Sequence, residues 1–589
     1  MNTEIYRDKV RACWLGKCLG GNLGMPYEGR TGPLELTRDD VQRISVPNDD
    51  LELQMLWLWL IEKYGEKLRS GDFALAWDKW YQADCDEYGV ARWNIRRGLK
   101  PPLTGLHNNW FTDGMGAAIR SEIWAGLFPG KPDLAAAFAR EDACVDHAGE
   151  GIFAEIFLAA AESFAFVSGD LTASIDAGLA RVPGNSRVAQ LVRFVGELWR
   201  RKIPVVQARE EILNNFGSEN FTDVCMNLGF IMLGLWYGEG EFEKSVLTAV
   251  NCGMDTDCTA ATTAAMLGIL QGTKSIPESW RNSVDNNLVY SAFLKELPLP
   301  QTIDEAVERT VAMSEKLSGL APLDGYMETG PDFAFGLRRA SRPRPAFSPQ
   351  LHMCLSACGQ AGSNKDQRPY IAPDKPLDGM TPAMTEDPIN DGHQWLIFCS
   401  PLGEDFLSEP AAIKQAQNDP ARFRENLIEF PGIHMDLSPY IENAGDALHL
   451  LTWLKVMPQS RGWIFGDGTT SSRSERPVVR PAPPKTEVLR LKSDREMRAQ
   501  LMVCADLTGI TVWLDERMIM NYHGRRKSVP AFHRVEGGAV VPIELLEGRA
   551  HCLRIRLLSC SKPLTMTVAL ADEQNRYLDK LCFYIKPKT

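Results

Sequence analysis

Ala12, Gly16, Gly20 and Gly24 recur at every fourth position near the start of the chain. A helix gathers such residues on one ridge, and a ridge almost without side chains lets a second helix come very close. The segment 256–271, TDCTAATTAAMLGILQ, has the same character through Ala260, Ala261, Ala264, Ala265 and Gly268. These two segments are the natural pair to pack at the centre of an all-α domain. Residues 5–20, 50–68, 114–127, 132–144, 150–167, 186–201, 222–237, 241–251, 256–271 and 302–318 all place apolar residues at three- and four-residue spacing. The chain therefore reads as helical up to about residue 320.

At 589 residues the chain is too long for one ordinary core, so two or more domains are expected. The texture changes at LRRASRPRPAFSP, residues 337–349, where prolines and arginines mark a linker. Residues 350–393 are irregular, and beyond them the period falls to two. LMVCADLTGITVWLDERMIMNYHG, GAVVPIELLEGRAHCLRIRLLS and LTMTVALADEQ read as strand–turn–strand units. The expected organisation is an all-α helical domain over 1–335, a linker over 336–390 and an all-β sandwich over 391–589. The arginine- and proline-rich stretch 472–485 reads as a surface loop.

Hydrophobic and charged fractions of 44% and 24% are those of a globular protein that dissolves in water. Formal charge is 64 − 76 = −12, which offers no global attraction to nucleic acid or to an anionic membrane. The N-terminal sequence lacks a signal-peptide pattern, and no uninterrupted apolar run reaches membrane-spanning length. The 14 cysteines are scattered, with Cys13, Cys18, Cys225 and Cys252 in apolar helical contexts. Reduced, buried thiols in a cytoplasmic protein are expected. His352, Cys354 and Cys358 come nearest to a zinc pattern but lack a second half at the usual spacing.

Chemistry concentrates in acidic residues at helix ends. Asp255 and Asp257 stand one residue apart just ahead of the small-residue helix, and Asn48, Asp49 and Asp50 precede another apolar helix. Each group has a plain reading as a helix cap, favoured by free N–H groups and the helix dipole. The sharper reading is a hard cation, which needs clustered oxygen ligands on rigid elements. Glu28 follows the glycine-rich helix after a Pro–Tyr turn and adds a third oxygen-rich point. If the small-faced helices pack together, the three points converge into an oxygen-ligand site suited to Mg²⁺, with Mn²⁺ or Ca²⁺ as alternatives.

GKCLGGNLGMPYEG, NDDLEL, TDGMGAAIR followed by VDHAGEG, and GMDTDCTAA occur in that order. Together they resemble the motifs of the ADP-ribosylglycohydrolase family, all-α hydrolases that include dinitrogenase-reductase-activating glycohydrolase. The resemblance implies a binuclear magnesium site and hydrolysis of an N- or O-glycosidic bond at a ribose anomeric carbon. It implies metal ligation at the positions of Asn48, Asp49, Asp50, Asp255, Asp257 and Cys258, and a mobile acid at Glu28. With Glu28, Asp49 and Asp50 would belong to the catalytic group. Asp113, Gly114 and Gly116 would meet the substrate, with the glycine N–H groups near a phosphate. Arg120 and His147 would either contact ligand or brace that loop. Three positions depart from the family pattern: Asn48 and Cys258 stand for threonines, and Asn22 for aspartate. An amide oxygen suits a hard cation, whereas a thiol suits Mg²⁺ poorly; Thr259 or water would then supply the ligand.

Residues 390–589 more loosely resemble the jelly-roll accessory domains found beside glycoside hydrolases. Such a domain packs on the hydrolase, makes a homo-oligomer or touches sugar. The expected function is hydrolysis of a small-molecule or protein-linked glycoside, without nucleic acid or membrane. The alternatives are hydrolysis of another glycoside, such as a nucleoside or small glycan, and a non-catalytic binding protein on the same fold.

Overall fold

The structure is a computed structural model that describes residues 2–41, 47–81, 83, 86–96, 98–106, 109, 111–218, 220–320, 393–400, 411–430, 434–456, 462–463, 496–505, 509–523, 540–546, 549–561, 564–571, 577–578 and 581–584. The Pro–Arg segment 337–349, the irregular stretch up to residue 392, the His352–Cys354–Cys358 group and the loop 472–485 lie outside the described residues. The chain divides into two compact units, one helical and one rich in β-strands.

At the centre of the helical unit, helix Thr3–Gly24 lies antiparallel against helix Thr256–Gln271. Ala12 meets Gly268, Gly16 meets Ala264, Gly20 meets Ala260 and Gly24 meets Thr256. A Cβ on Gly20 would lie 2.4 Å from both atoms of the Ala260–Ala261 peptide bond, and one on Gly24 would lie 2.3 Å from the Thr256 carbonyl oxygen. Backbone therefore touches backbone along the ridge, as small residues at four-residue spacing allow. Four-residue steps on one helix answer four-residue steps on the other, so register is set together with distance. The C-terminal end of the first helix thus lands on the N-terminal end of the second. Thr256 Oγ1 ties the junction by donating to the Gly24 carbonyl at 2.8 Å.

Helices Asp49–Tyr64, Pro132–Ala143, Glu150–Ser168, Arg187–Arg200, Val224–Tyr237, Phe242–Val250 and Ile303–Leu317 lie close to the bounds expected from spacing. Ser70–Lys79, Leu171–Leu179 and Val205–Phe216 are helical as well. Leu171–Leu179 buries only Ser174, Ile175 and Gly178, which leaves little periodic signal. The helix expected over 114–127 begins later, with a 3₁₀ turn at Ala118–Arg120 and an α-helix at Ser121–Leu127. Gly114 instead pairs its backbone with Asp223, and the Val224 N–H donates to the Asp113 carbonyl at 2.7 Å. Those bonds hold residues 113–117 out as a loop. Glu150–Ser168 does have the length and apolarity to cross a membrane, although Glu155 and Glu162 interrupt it. Its apolar window is 83% buried inside the protein, where it serves as a core helix.

In the second unit, strands β1 (His393–Ser400), β2 (Leu427–Phe430), β3 (His434–Asp436), β4 (Ala447–Val456), β5 (Gly462–Trp463), β6 (Glu496–Ala505), β7 (Gly509–Leu514), β8 (Arg517–His523), β9 (Val540–Leu546), β10 (Ala550–Leu558), β11 (Thr565–Ala571), β12 (Tyr577–Leu578) and β13 (Leu581–Tyr584) form two antiparallel sheets. One runs β2-β1-β4-β10-β7-β8 with β13 also on β4; the other runs β5-β12-β11-β6-β9 with β3 on β11. Burial alternates along β10, where Leu553, Ile555 and Leu557 are buried and Cys552, Arg554 and Arg556 are half-buried. This is the two-residue period legible in the sequence. Leu450, Val512 and Ile555 from one sheet and Leu501, Val503 and Val568 from the other join one hydrophobic cluster.

Replacing Gly20 by Ala should force the two central helices apart. We expect a loss of about 3 kcal/mol, the upper part of the overpacking range because backbone atoms cannot step aside. Chemical denaturation of G20A against the parent measures this; equal stability would contradict the close packing.

Candidate metal centre

Three helix ends build the centre. Asn48 caps helix Asp49–Tyr64: its Oδ1 accepts from the Asp50 N–H at 2.7 Å. The same side chain donates from Nδ2 to Asp257 Oδ2 at 3.5 Å. Gly21 leaves room for it, since a Cβ there would lie 2.6 Å from Asn48 Nδ2. Asp255 occupies the cap position of helix Thr256–Gln271, yet its side chain makes no capping bond. Its backbone N–H donates to Asn227 Oδ1 at 3.2 Å. Capping thus accounts for Asn48 and leaves Asp255 unexplained.

The carboxylates fall into two groups that share Asp257. Glu28, Asp255 and Asp257 form one, and Asp50, Asp257 and Cys258 the other, with ligand atoms inside each group within 4.8 Å of one another. Asp50, Asp255, Asp257 and Cys258 are buried, whereas Glu28 and Asp49 are half-buried. Burial, with the charges of Asp50 and Asp49, pushes the Asp257 carboxyl up to about 7. Burial and then the neighbouring Asp257 and Glu28 push Asp255 well above the usual carboxylate range. Asp257 Oδ1 is buried with no hydrogen-bond partner. A buried carboxylate oxygen left unpaired is costly, and the surrounding oxygen donors are those a hard divalent cation takes. The residues therefore fit such an ion.

Beneath this centre lies a polar network that motif reading did not single out. Lys17 Nζ is 3.1 Å from Asp50 Oδ1 and 2.8 Å from Glu122 Oε1, and donates to Thr262 Oγ1 at 3.3 Å. Its side chain is fully buried. Burial pulls the Lys17 pKa down, but Glu122 and Asp50 outweigh it and hold the ammonium above its ordinary range. The Cys258 thiol donates to Asp50 Oδ2 at 3.4 Å. Gln54 Nε2 donates to the Asp50 carbonyl and to Glu122 Oε2, each at 2.8 Å, and Gln54 Oε1 accepts from the Ile123 N–H at 2.7 Å. Lys17 lies on the buried part of the small-residue helix, where solvent has no access.

Arg120 and His147 are both completely buried. Arg120 donates from Nε to Asp142 Oδ2 at 3.1 Å and from its two Nη groups to the two Asp146 oxygens, each at 2.9 Å. It also holds the Gly116 carbonyl. His147 Nε2 accepts from the Ala117 N–H at 3.3 Å, and its Nδ1 lies 3.0 Å from Asp146 Oδ1. Both side chains thus grip the loop 113–117 from inside the protein. Asn227 joins that loop to the acidic centre. Its Nδ2 donates to the carbonyls of Phe221 and Asp223 at 2.8 and 2.9 Å, while its Oδ1 takes the Asp255 N–H. Asp113 and Asp223 place carboxylate oxygens 3.9 and 3.8 Å from Arg187 Nη1.

With helical architecture and acidic centre in place, the comparison with known proteins is direct. The ADP-ribosylglycohydrolase family model matches residues 2–318, more than half of the 589 residues. The chain belongs to that family, whose members are metal-dependent hydrolases of ADP-ribose-type glycosidic bonds. An uncharacterised protein of Archaeoglobus fulgidus is 25% identical over 324 residues, covering 49% of this chain and 94% of the relative. A solved ADP-ribosylglycohydrolase-related protein complex is 16% identical with a TM-score of 0.38, covering 53% of this chain and 99% of the solved one.

The raised carboxyls give a pH signature. Asp257 moves from an ordinary 3.8 to about 7 on folding. A raised folded value contributes stability that is present below pH 3.8 and lost as pH rises through about 7. The metal-free protein should therefore melt lower at pH 8 than at pH 5.5. A divalent cation at these carboxylates would bind their deprotonated form, so any increment in Tm from added Mg²⁺ should be larger at pH 8. Asp255→Asn should remove most of that increment. Thermal melts at both pH values, with and without Mg²⁺, check this, and an undiminished increment in D255N would contradict it.

Proposed function

We propose that the helical unit hydrolyses a glycosidic bond at a ribose anomeric carbon in an ADP-ribosylated substrate, with Mg²⁺ at the acidic centre. The observation that carries this reading is the buried, unpartnered Asp257 Oδ1 within carboxylates drawn from three helix ends. Asp49, Asp50, Asp255 and Asp257, the Asn48 amide and the position of Cys258 are the ligand set, arranged around two groups that share Asp257. Mn²⁺ or Ca²⁺ would suit the same oxygens. When bound, the cation supplies Lewis-acid chemistry: it fixes the ribose diol and offsets charge as the bond breaks.

The remaining roles fall to the chain's own groups. Glu28, half-buried beside Asp255 and Asp257, moves the proton as general acid or base around an oxocarbenium-like centre. Asp49 and Asp50 orient the reacting sugar. Asp113, Gly114 and Gly116 receive the phosphate-bearing part of the substrate, with backbone N–H groups close to the ligand. Arg120 and His147 act on that loop from behind, through the Gly116 carbonyl and the Ala117 N–H.

In this reading residues 1–335 are the hydrolase, 336–390 a linker and 391–589 an accessory domain of jelly-roll type. The two sheets with one shared cluster support the last assignment. The cysteines whose side chains are described, Cys13, Cys18, Cys225, Cys252 and Cys258 among them, are free, which supports a reducing, cytoplasmic setting. Cys258 and Asn48, where the family has threonine, favour a second reading in which the substrate is another glycoside, such as a nucleoside or small glycan.

A screen of ADP-ribosyl-arginine, ADP-ribosyl-serine, nucleosides and aryl glycosides, with and without Mg²⁺, tests the function. We expect Mg²⁺-dependent release of ADP-ribose and a loss of at least about a hundredfold in kcat for Glu28→Gln. Cleavage of nucleosides or aryl glycosides alone selects the second reading, and turnover indifferent to chelation defeats the metal role. Cys258→Thr should bind Mg²⁺ more tightly than the parent, because a hydroxyl oxygen replaces a neutral thiol. Cys258→Ala should bind about as the parent does. Calorimetric titration compares the three, and equal affinities would show that this side chain does not tune the centre.

A further inference from the structure

The two carboxylate groups are chemically unequal. Glu28, Asp255 and Asp257 offer three hard oxygen donors, one of them half-exposed. Asp50, Asp257 and Cys258 offer two carboxylates and a neutral thiol, a poor donor for a hard cation. Asp50 is also already engaged. Its Oδ1 lies 3.1 Å from the Lys17 ammonium, and its Oδ2 accepts the Cys258 thiol at 3.4 Å. Lys17 cannot swing away: its side chain is fully buried and is held from the far side by Glu122 at 2.8 Å and Thr262 at 3.3 Å. A fixed positive charge so close to one donor oxygen repels an incoming divalent ion there, and with water excluded the repulsion is little screened.

We infer that Lys17 is a resident cation of the centre, serving Asp50 where a second divalent ion would otherwise sit, so that this protein holds one ion tightly, at Asp255 and Asp257 beside the Glu28 carboxylate. Lys17 is a positioning residue: its ammonium fixes the Asp50 carboxylate and offsets its charge from below. The inference rests on the metal reading proposed above and sharpens it, from two comparable ions to one tight ion and one built-in charge.

Titration with Mn²⁺ alone, followed by electron paramagnetic resonance and calorimetry, counts the tight sites in the full-length protein. We expect one in the parent. In Lys17→Met, which keeps most of the side-chain volume, Asp50 is released and the centre gains a negative charge. A second Mn²⁺ should then bind about tenfold or more tighter than any weak second ion in the parent. Lys17→Arg, which restores the charge, should return the count to one. A lysine that merely filled space would leave the count unchanged in K17M, and that result overturns the inference. Should K17M fail to fold, Lys17→Gln is the second neutral variant: a second tight Mn²⁺ should again appear, and a count left at one overturns the inference. Two equally tight ions in the parent defeat this inference while leaving the metal reading intact. No Mn²⁺ binding by the parent defeats both.

Discussion

Everything at the acidic centre depends on backbone touching backbone between Thr3–Gly24 and Thr256–Gln271. Because Gly16, Gly20 and Gly24 present no side chains, the helices meet at a distance that ordinary residues forbid. Their antiparallel register sets the Glu28 turn beside Asp255 and Asp257, since the end of one helix is the start of the other. The N-terminus of helix Asp49–Tyr64 joins them through Asn48, which fits only because position 21 is glycine, and through the Lys17–Asp50 pair. Dense packing, usually a matter of stability, here decides which oxygens share a site.

That geometry concentrates negative charge where water is excluded. Asp50, Asp255 and Asp257 are all but inaccessible, and their mutual repulsion adds to the cost of burial. The chain offsets part of this with Lys17, the Cys258 thiol and the Asn48 amide. It leaves Asp257 Oδ1 without a partner. An asymmetry of this kind, one carboxylate compensated from inside and another left open, is how a fold can reserve a place for a ligand while remaining stable without it.

The helical domain was legible because its signals are local. Glycine spacing names the central pair, and the acidic motifs mark the ends of helices whose convergence follows from that pairing. The β-unit was legible through its two-residue period. Lys17 and Gln54 were not, because each is one polar residue among several in its helix and nothing local points to its partners. Those partners are Asp50, Glu122 and Thr262, dozens to hundreds of residues away in sequence, and only packing brings them together. Asn227 escaped notice for the same reason: its role appears only when the Asp223 turn and Asp255 are seen side by side. The loop at 113–117 misled a helical reading because its own spacing is helical, while the bonds that hold it open come from Asp223 and Val224.

The antiparallel ridge also works as a ruler. Each residue of an α-helix turns the chain by about 100°, so one residue inserted between Ala12 and Gly24 would swing every later glycine off the contact line. The Glu28 turn would move with them, around the helix and away from Asp255. Point changes on the outer faces of these helices leave the ruler intact, whereas changes of length do not. Over this stretch the chain can drift in composition far more freely than in length.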